Sequence, residues 1–309
     1  MAVIHFAPLQ GYTDSVYREA HTRVFGGVDT YYTPFVRIEK GGFRNKDLKD
    51  IACDRNRQVH VVPQLIASTP DEFRPIVRLF QENGYKEADI NLGCPFPMQV
   101  RAHRGSGLLR YKEAESLLRT IEEFPDISFS VKMRLGWECT DESFVLLSLL
   151  NKLPLKHITL HPRLGIQQYK GAIDWDGFSR FYDECELPLY YNGDLVGLED
   201  IRGIKERFPG LAGIMLGRGL LASPWLATEF VSGQVLTVNE RRDKLVMFHE
   251  SLMDEYAARL EGGEHQVLSK MKTIWDYLLP EADKRLRKKV LKSTSLTSYQ
   301  SAVKDLLSL

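Results

Sequence analysis

At 309 residues, 43% hydrophobic and 27% charged, the chain is composed like an ordinary soluble globular protein, with room for one large domain or a large one and a small one. Its 41 Lys and Arg balance 41 Asp and Glu, at a pI near 7.1, so no global basic field marks it for nucleic acid, and a polyanion must meet a local patch. Four widely spaced cysteines (Cys53, Cys94, Cys139 and Cys185) form no Cys-x-x-Cys pair, which argues against a zinc site and a disulfide framework, and no metal is expected.

The N-terminus, Met1-Ala2-Val3-Ile4-His5-Phe6, runs into a strand without a signal pattern. No apolar run approaches the ~18 residues of a membrane span. A reducing cytoplasm and no membrane partner are expected, with a monomer favoured.

Val3 to Ala7 reads as the first strand. Thr13 or Asp14 then caps a helix whose apolar face carries Val16, Tyr17, Ala20 and Val24. Asp29 to Phe35 is a second strand and Val59 to Ile66 a third. Thr69-Pro70-Asp71-Glu72 reads as a capping box with proline at the first helical position. Pro75 predicts a kink early in that helix.

The fourth strand holds the most unusual stretch, Asp89-Ile90-Asn91-Leu92-Gly93-Cys94-Pro95-Phe96-Pro97, running on to Gly105-Ser106-Gly107-Leu108-Leu109. Pro95 and Pro97 forbid continuation as strand or helix. Gly105 and Gly107 allow a mobile return before a helix near Tyr111. A cysteine at the tip of a strand, on a Pro/Gly-bounded loop, displays a reactive group. Taken alone it reads more readily as a small apolar residue capping a core strand, since a free Cys is usually buried and inert; the rest of the chain shifts that balance.

The fifth strand spans Ser128 to Met133, the sixth His157 to Leu160, the seventh Pro188 to Tyr191 and the eighth Ala212 to Leu216, with helices from about Asp141 and Leu198. Eight strand-then-helix alternations predict an α/β fold, a (β/α)8 TIM barrel, rather than an open doubly wound sheet. After Gly233 the alternation stops. Helical stripes (Leu245, His249, Leu252, Met253, Tyr256, then Val267, Leu268, Met271, Trp275, Leu278) and two shorter helices predict a small C-terminal all-helical domain. The division is expected at 1–235 and 236–309.

In such a barrel the strand ends share one rim, where function collects. Here they carry Gln64, Asn91 and Cys94, Lys132 and Arg134, His161 and Arg163, Asn192-Gly193-Asp194 and Gly217-Arg218-Gly219. The last two loops suit a phosphate: glycines allow close backbone approach and Arg218 adds a fork of donors. Asp194 would repel that phosphate, so its backbone is assigned there. Lys132 and His161 belong near the barrel axis, where a lysine suits either negative charge on a reduced ring or a Schiff base.

The resemblance then becomes specific. Ala7-Pro8-Leu9-Gln10-Gly11-Tyr12-Thr13-Asp14, Asn91-Leu92-Gly93-Cys94-Pro95, Val131-Lys132-Met133-Arg134-Leu135-Gly136-Trp137 and His161-Pro162-Arg163 resemble tRNA-dihydrouridine synthases. So do Tyr169-Lys170-Gly171-Ala172-Ile173-Asp174-Trp175, Tyr191-Asn192-Gly193-Asp194 and Met215-Leu216-Gly217-Arg218-Gly219, with Pro224-Trp225 behind them. The pieces span the barrel in the family's order, and the helical tail matches the family's RNA-binding domain.

That resemblance implies FMN as cofactor and NADPH as reductant. Pro8, Leu9 and Gln10 would lie against the isoalloxazine ring. Gln64, Lys132 and His161 would hydrogen-bond to it, and Asn192, Gly193, Asp194, Gly217 and Arg218 would hold its phosphate. It implies hydride transfer from flavin N5 to C6 of a uridine in tRNA and protonation of C5 by Cys94. Asn91, Arg134 and Arg163 would bind the substrate. Two departures lie in the thiol loop: Phe96-Pro97-Met98 where the family has Ser-Lys, and Gly105-Ser106-Gly107 before the Leu-Leu pair. The basic run Lys284, Arg285, Arg287, Lys288, Lys289 and Lys292 is expected to meet RNA phosphates, against the alternative of a solvated helix face. Two other readings are an FMN barrel acting on a free small molecule and a non-catalytic RNA-binding barrel.

Overall fold

The structure is a computed structural model that describes residues 3–56 and 58–308. Its main sheet is parallel and nearly closed. The first strand is Val3–Phe6 and the second Thr30–Tyr32. Two short segments, Val61–Val62 and Gln64–Leu65, together make the third. Glu87–Leu92, Ser128–Arg134, Leu155–His161, Leu189–Tyr191 and Gly213–Leu216 follow. Pro63 breaks the third strand because it offers no N–H to a ladder. Before the break, Val61 pairs with Tyr31; after it, Gln64 pairs with Asp89. The first strand pairs with the eighth, Val3 against Gly213, so eight strands form the ring and its ladder is open only at the break in the third.

Most local signals act as their chemistry requires. Asp14 caps the helix Ser15–Val24 by accepting from Tyr17 N at 3.1 Å. Thr69 caps Pro70–Glu82, but Glu72 does not complete the box. Its carboxylate reaches one residue further back, to Ser68 N and Oγ at 2.9 Å each, and also pairs with Arg104. The helix continues through Pro75 to Glu82. Between the second and third strands lie a hairpin, Ile38–Glu39 with Gly42–Phe43, and the helix Asn45–Ile51, neither of which the hydrophobic pattern announced.

The loop after the fourth strand corrects two expectations. Pro97 does not end regular structure but opens a short helix, Pro97–Arg101, at the first position, where a missing N–H costs nothing. The return through Gly105 and Gly107 is buried rather than loose. A Cβ on Gly105 (φ +60°) would stand 2.6 Å from the Cys94 carbonyl oxygen, and one on Gly107 2.9 Å from Val100 Cα. These glycines permit close packing of backbone on backbone.

Deeper in the barrel the filling is partly polar. Tyr32 Oη bridges His5 Nδ1 at 3.1 Å and His157 Nε2 at 3.2 Å, and Tyr190 stacks on His5 with ring centroids 4.3 Å apart. Burial holds both imidazoles well below their ordinary range, His5 at about 3 and His157 at about 4, so both are neutral at neutral pH.

The helical tail comprises Val238–Arg259, Gly263–Ile274, Lys284–Lys292 and Leu296–Leu307. It packs on the first barrel helix. Phe248 meets Tyr17 and Phe25 edge-on at 5.2 and 5.4 Å, Tyr256 Oη donates to Asp14 at 2.8 Å, and Lys270 pairs with Asp14 at 2.8 Å. One continuous apolar core runs through barrel and tail. No described helix is long and apolar enough to cross a membrane.

Candidate active site

A cleft of about 560 Å³ opens at the carboxyl ends of the strands. Pro8, Leu9 and Gln10 border it from the first strand, Asn91 and Cys94 from the fourth, and Lys132 and Arg134 from the fifth. His161, Asn192, Gly193, Asp194, Gly217 and Arg218 complete the rim. Ala7, Leu195 and Met215 supply apolar wall, and Phe96 stands at the mouth with 60% of its surface exposed. Gln64 and Arg163 do not border the cleft.

The first loop is pinned locally. Leu9 N donates to Thr13 Oγ1 at 2.9 Å, Thr13 N returns to the Leu9 carbonyl at 3.1 Å, and Gln10 Nε2 reaches the Phe35 carbonyl at 3.1 Å. Pro8-Leu9-Gln10 therefore presents a fixed edge to the cleft.

The thiol loop is held from several sides. Asn91 Oδ1 accepts from Cys94 N at 2.8 Å and from Gly93 N at 3.1 Å. Ser106 N and Oγ donate to the Cys94 carbonyl at 3.1 and 3.0 Å. Arg134 Nε donates to the Gly93 carbonyl and Nη1 to the Leu164 carbonyl, each at 3.0 Å. Burial pushes the Cys94 thiol up, against the pull of Arg134 and Lys132, so it keeps its proton at neutral pH.

Three residues of the expected site have hydrogen-bond partners within the chain. Asn91, expected to hold a substrate edge, spends its oxygen on the thiol loop and donates Nδ2 to Gln64 Oε1 at 2.7 Å. Gln64, expected against a flavin ring, is fully buried behind Asn91 and donates to Asp89 Oδ2 at 2.6 Å. Arg163, also expected on substrate, is 4% exposed and donates to the Gly171 carbonyl at 3.1 and 2.8 Å and to Asp194. It braces loops.

Lys132 lies beside Asn91 in register, and Arg134 beside His161. Burial, then Arg134, lower the Lys132 ammonium to about 8. The His161 ring is held well below its usual range by burial and then by Arg134, Lys132, Arg163 and Arg218. The pair offers one cation and one neutral imidazole at the base of the cleft.

In the last two loops the Asp194 carboxylate accepts from Arg218 Nη2 at 2.7 Å and from Arg163 Nη1 at 3.0 Å. Its own backbone is left-handed at φ +44°. Asn192 Nδ2 ties the seventh strand to the Met215 carbonyl of the eighth at 2.8 Å. A Cβ on Gly219 would stand 2.0 Å from the Leu195 carbonyl oxygen, so only glycine lets these loops close on each other. Tyr169 lies between two guanidiniums, Arg134 at 5.4 Å and Arg218 at 5.0 Å from its ring.

Sequence reasoning missed several of these partners. Tyr169 lay inside a recognised motif without a role. Asp89 carried the signal of an acid in an otherwise apolar strand. Asp276, Tyr277 and Pro280 of the tail also border the cleft, where Tyr12 Oη donates to Asp276 at 3.0 Å; nothing local to those residues betrays this.

The basic helix Lys284–Lys292 begins four residues beyond Pro280. Lys284, Arg285, Lys288, Lys289 and Lys292 are exposed. Arg287 instead turns inward and donates to the Leu279 carbonyl at 3.2 Å and to the Trp275 carbonyl. Lys289 pairs with Asp305 at 2.6 Å. No cluster of His, Cys, Asp and Glu among the described residues could hold a metal ion.

A parallel barrel with a protonated thiol, a buried lysine and a glycine-lined basic end around one rim cleft has the architecture of an enzyme. A family model described as dihydrouridine synthase (Dus) matches residues 5–307. The chain belongs to the dihydrouridine synthase family. It is 30% identical over 244 residues to a tRNA-dihydrouridine(16) synthase of Pseudomonas syringae pv. tomato, covering 75% of each chain. It is 29% identical to the protein of that name from Pseudomonas putida, over 75% of this chain and 74% of the other. A probable tRNA-dihydrouridine synthase of Rickettsia conorii is 26% identical over 82% of this chain and 78% of its own. Among solved structures, a morphinone reductase variant in complex with tetrahydroNAD aligns with a TM-score of 0.55 at 10% identity, over 76% of this chain and 88% of that one. The old yellow enzyme from Trypanosoma cruzi aligns with a TM-score of 0.52 at 10% identity, over 76% and 89%. At such identities these two likenesses speak for the fold alone.

Proposed function

We propose that this enzyme reduces the C5–C6 double bond of a uridine in tRNA to 5,6-dihydrouridine, with FMN as bound cofactor and NADPH as reductant. The observation that carries the reading is the Cys94 thiol. It borders the same cleft as Lys132, His161, Arg218 and the glycine loops, and burial only pushes an ordinary thiol further up, so it holds a proton to give at neutral pH.

The residues present fit FMN. The glycine loops and Arg218 match a terminal phosphate in shape and charge. Lys132 and the neutral His161 match the electron-rich edge of an isoalloxazine, and Pro8-Leu9-Gln10 offers a flat, partly apolar wall. When bound, the flavin supplies the hydride that C6 receives.

Everything else falls to the chain. Cys94 gives its proton to C5, and the thiolate left behind is stabilised by Arg134 and Lys132, whose charges already favour it. A positioned acid of this kind contributes roughly 10²–10⁴-fold. Asn91 acts by fixing the loop that aims the sulfur. Tyr12, Asp276 and Tyr277 narrow the mouth, so a uridine must leave its stack to enter, and the rest of the RNA must be gripped outside it. Residues 236–309 would supply that grip through Lys284, Arg285, Lys288 and Lys292. This tail favours RNA over a free small molecule, which would need neither the tail nor its basic helix.

The test is to incubate the purified protein with NADPH and an unmodified tRNA transcript and to count dihydrouridine by mass spectrometry. Uridine 16 is the first position to read, since two relatives carry it in their names. Flavin-bound protein that forms dihydrouridine is expected. Protein that oxidises NADPH with small enones but leaves tRNA unchanged would contradict the proposal.

A further inference from the structure

The thiol loop is tied to the interior of the barrel by an uninterrupted run of hydrogen bonds. Ser130 Oγ donates to Asp89 Oδ1 at 2.6 Å, and Gln64 Nε2 donates to Asp89 Oδ2 at 2.6 Å. Asn91 Nδ2 donates to Gln64 Oε1 at 2.7 Å, and Asn91 Oδ1 accepts from the Cys94 and Gly93 amides. Asp89 and Gln64 have no exposed surface and Asn91 only 8%, so water does not compete for these groups.

The two ends of this run determine its direction. Backbone amides can only donate, so Asn91 must turn its oxygen to Cys94 and its nitrogen to Gln64. A carboxylate can only accept, so Gln64 must turn its nitrogen to Asp89 and its oxygen to Asn91. Each amide has one group of each kind, and both ends demand the same orientation. Burial raises the Asp89 carboxyl to about 6, with Gln64, Ser130 and Lys132 pulling the other way; at neutral pH it is mostly ionised and acceptor-only.

We propose that Asp89 is a positioning residue that, through Gln64 and Asn91, locks the backbone of Cys94 and so aims its thiol into the cleft. The proposal deepens the functional reading above and rests on it for the meaning of the thiol. The lock itself concerns only this chain. Its essential property is an acceptor at position 89, not a negative charge. An asparagine there can still offer Oδ1 to Gln64 and its nitrogen to the Ser130 hydroxyl, which both donates and accepts. An alanine can offer nothing.

The experiment compares rates of iodoacetamide alkylation at individual cysteines, read by peptide mass spectrometry, in the parent protein and in Asp89→Asn and Asp89→Ala. Cys185, half-buried and elsewhere in the fold, is the internal control. Asp89→Ala is expected to speed alkylation of Cys94 relative to Cys185 by at least about tenfold, and Asp89→Asn to stay within about threefold of the parent. Gln64→Met, nearly isosteric, breaks the run in its middle and should repeat the alanine result if the alanine variant does not fold. An unchanged Cys94 rate in Asp89→Ala or Gln64→Met would overturn the proposal. So would equal changes in the asparagine and alanine variants, which would assign the effect to charge, or equal acceleration at Cys185, which would assign it to general loosening. The readout needs neither RNA nor turnover. A parent protein that forms no dihydrouridine therefore defeats the functional reading and leaves the lock to be judged on its own.

Discussion

Arg218 donates to the Asp194 carboxylate at 2.7 Å while Arg163 holds the same carboxylate from the buried side. An acid in a loop expected to receive a phosphate is thus neutralised by two guanidiniums and aims one of them. Arg163 is 4% exposed and cannot itself reach out.

Arg218→Ala should therefore weaken FMN binding. A charge-assisted hydrogen bond is worth roughly 1.5–3 kcal/mol, which raises the dissociation constant about tenfold or more. Asp194→Asn should weaken it less, because Arg218 stays charged and stacked on Tyr169. Titration of the apoproteins with FMN by flavin fluorescence checks both. Equal affinity in Arg218→Ala and parent would remove the phosphate from this end of the cleft.

The basic helix divides into two groups with different expected phenotypes. Replacing Lys284, Arg285 and Lys288 by Ala should weaken tRNA binding and lower its salt slope by roughly 0.7–0.9 for each phosphate left without its cation, with FMN content unchanged. Arg287→Ala should instead lower the melting temperature, because Arg287 donates to the Trp275 and Leu279 carbonyls that end the preceding segment. Filter binding across salt concentrations, alongside thermal melts, separates the two. A salt slope unaffected by the triple change would make the helix a solvated face.

Much of the rim could be read from the chain because chemistry-bearing residues stand where an apolar strand run stops. Lys132, His161 and Cys94 each lie at such a boundary. What could not be read is which of these side chains face the cleft and which brace it. Arg163 looks like a ligand in sequence but lies off the cleft as a brace, while Asn91 borders the cleft and also holds the thiol loop; their partners, Asp194 and the Cys94 amide, depend on loop geometry. The tail's part in the cleft through Asp276 was hidden for a similar reason: its partner Tyr12 lies 264 residues away. The buried Tyr32 bridge between His5 and His157 was equally invisible, as each residue alone reads as an ordinary strand position.

That bridge predicts acid sensitivity. The folded protein holds His157 near 4, below its ordinary 6.5, so as pH falls between those values the unfolded chain takes up a proton that the native state refuses. Stability is full above about 6.5 and is lost as pH falls toward 4, by on the order of 3 kcal/mol for this residue. His157→Gln keeps a polar partner for Tyr32 but does not titrate, so its stability should decline less over the same window. Urea unfolding at pH 7.5, 5.5 and 4.5 measures this. Parallel declines in parent and variant would show that His157 does not carry the effect.

The central claim is that Cys94 is the proton donor, and single-turnover reaction of pre-reduced enzyme with tRNA tests it most directly. Cys94→Ala removes one sulfur from a loop whose backbone remains held by Asn91, Ser106 and Arg134, so folding, FMN content and reduction by NADPH should match the parent. After anaerobic reduction and mixing with tRNA transcript, flavin reoxidation and dihydrouridine formation should both be slower by about 10²–10⁴-fold. A Cys94→Ala enzyme that forms dihydrouridine at the parental rate would contradict the account.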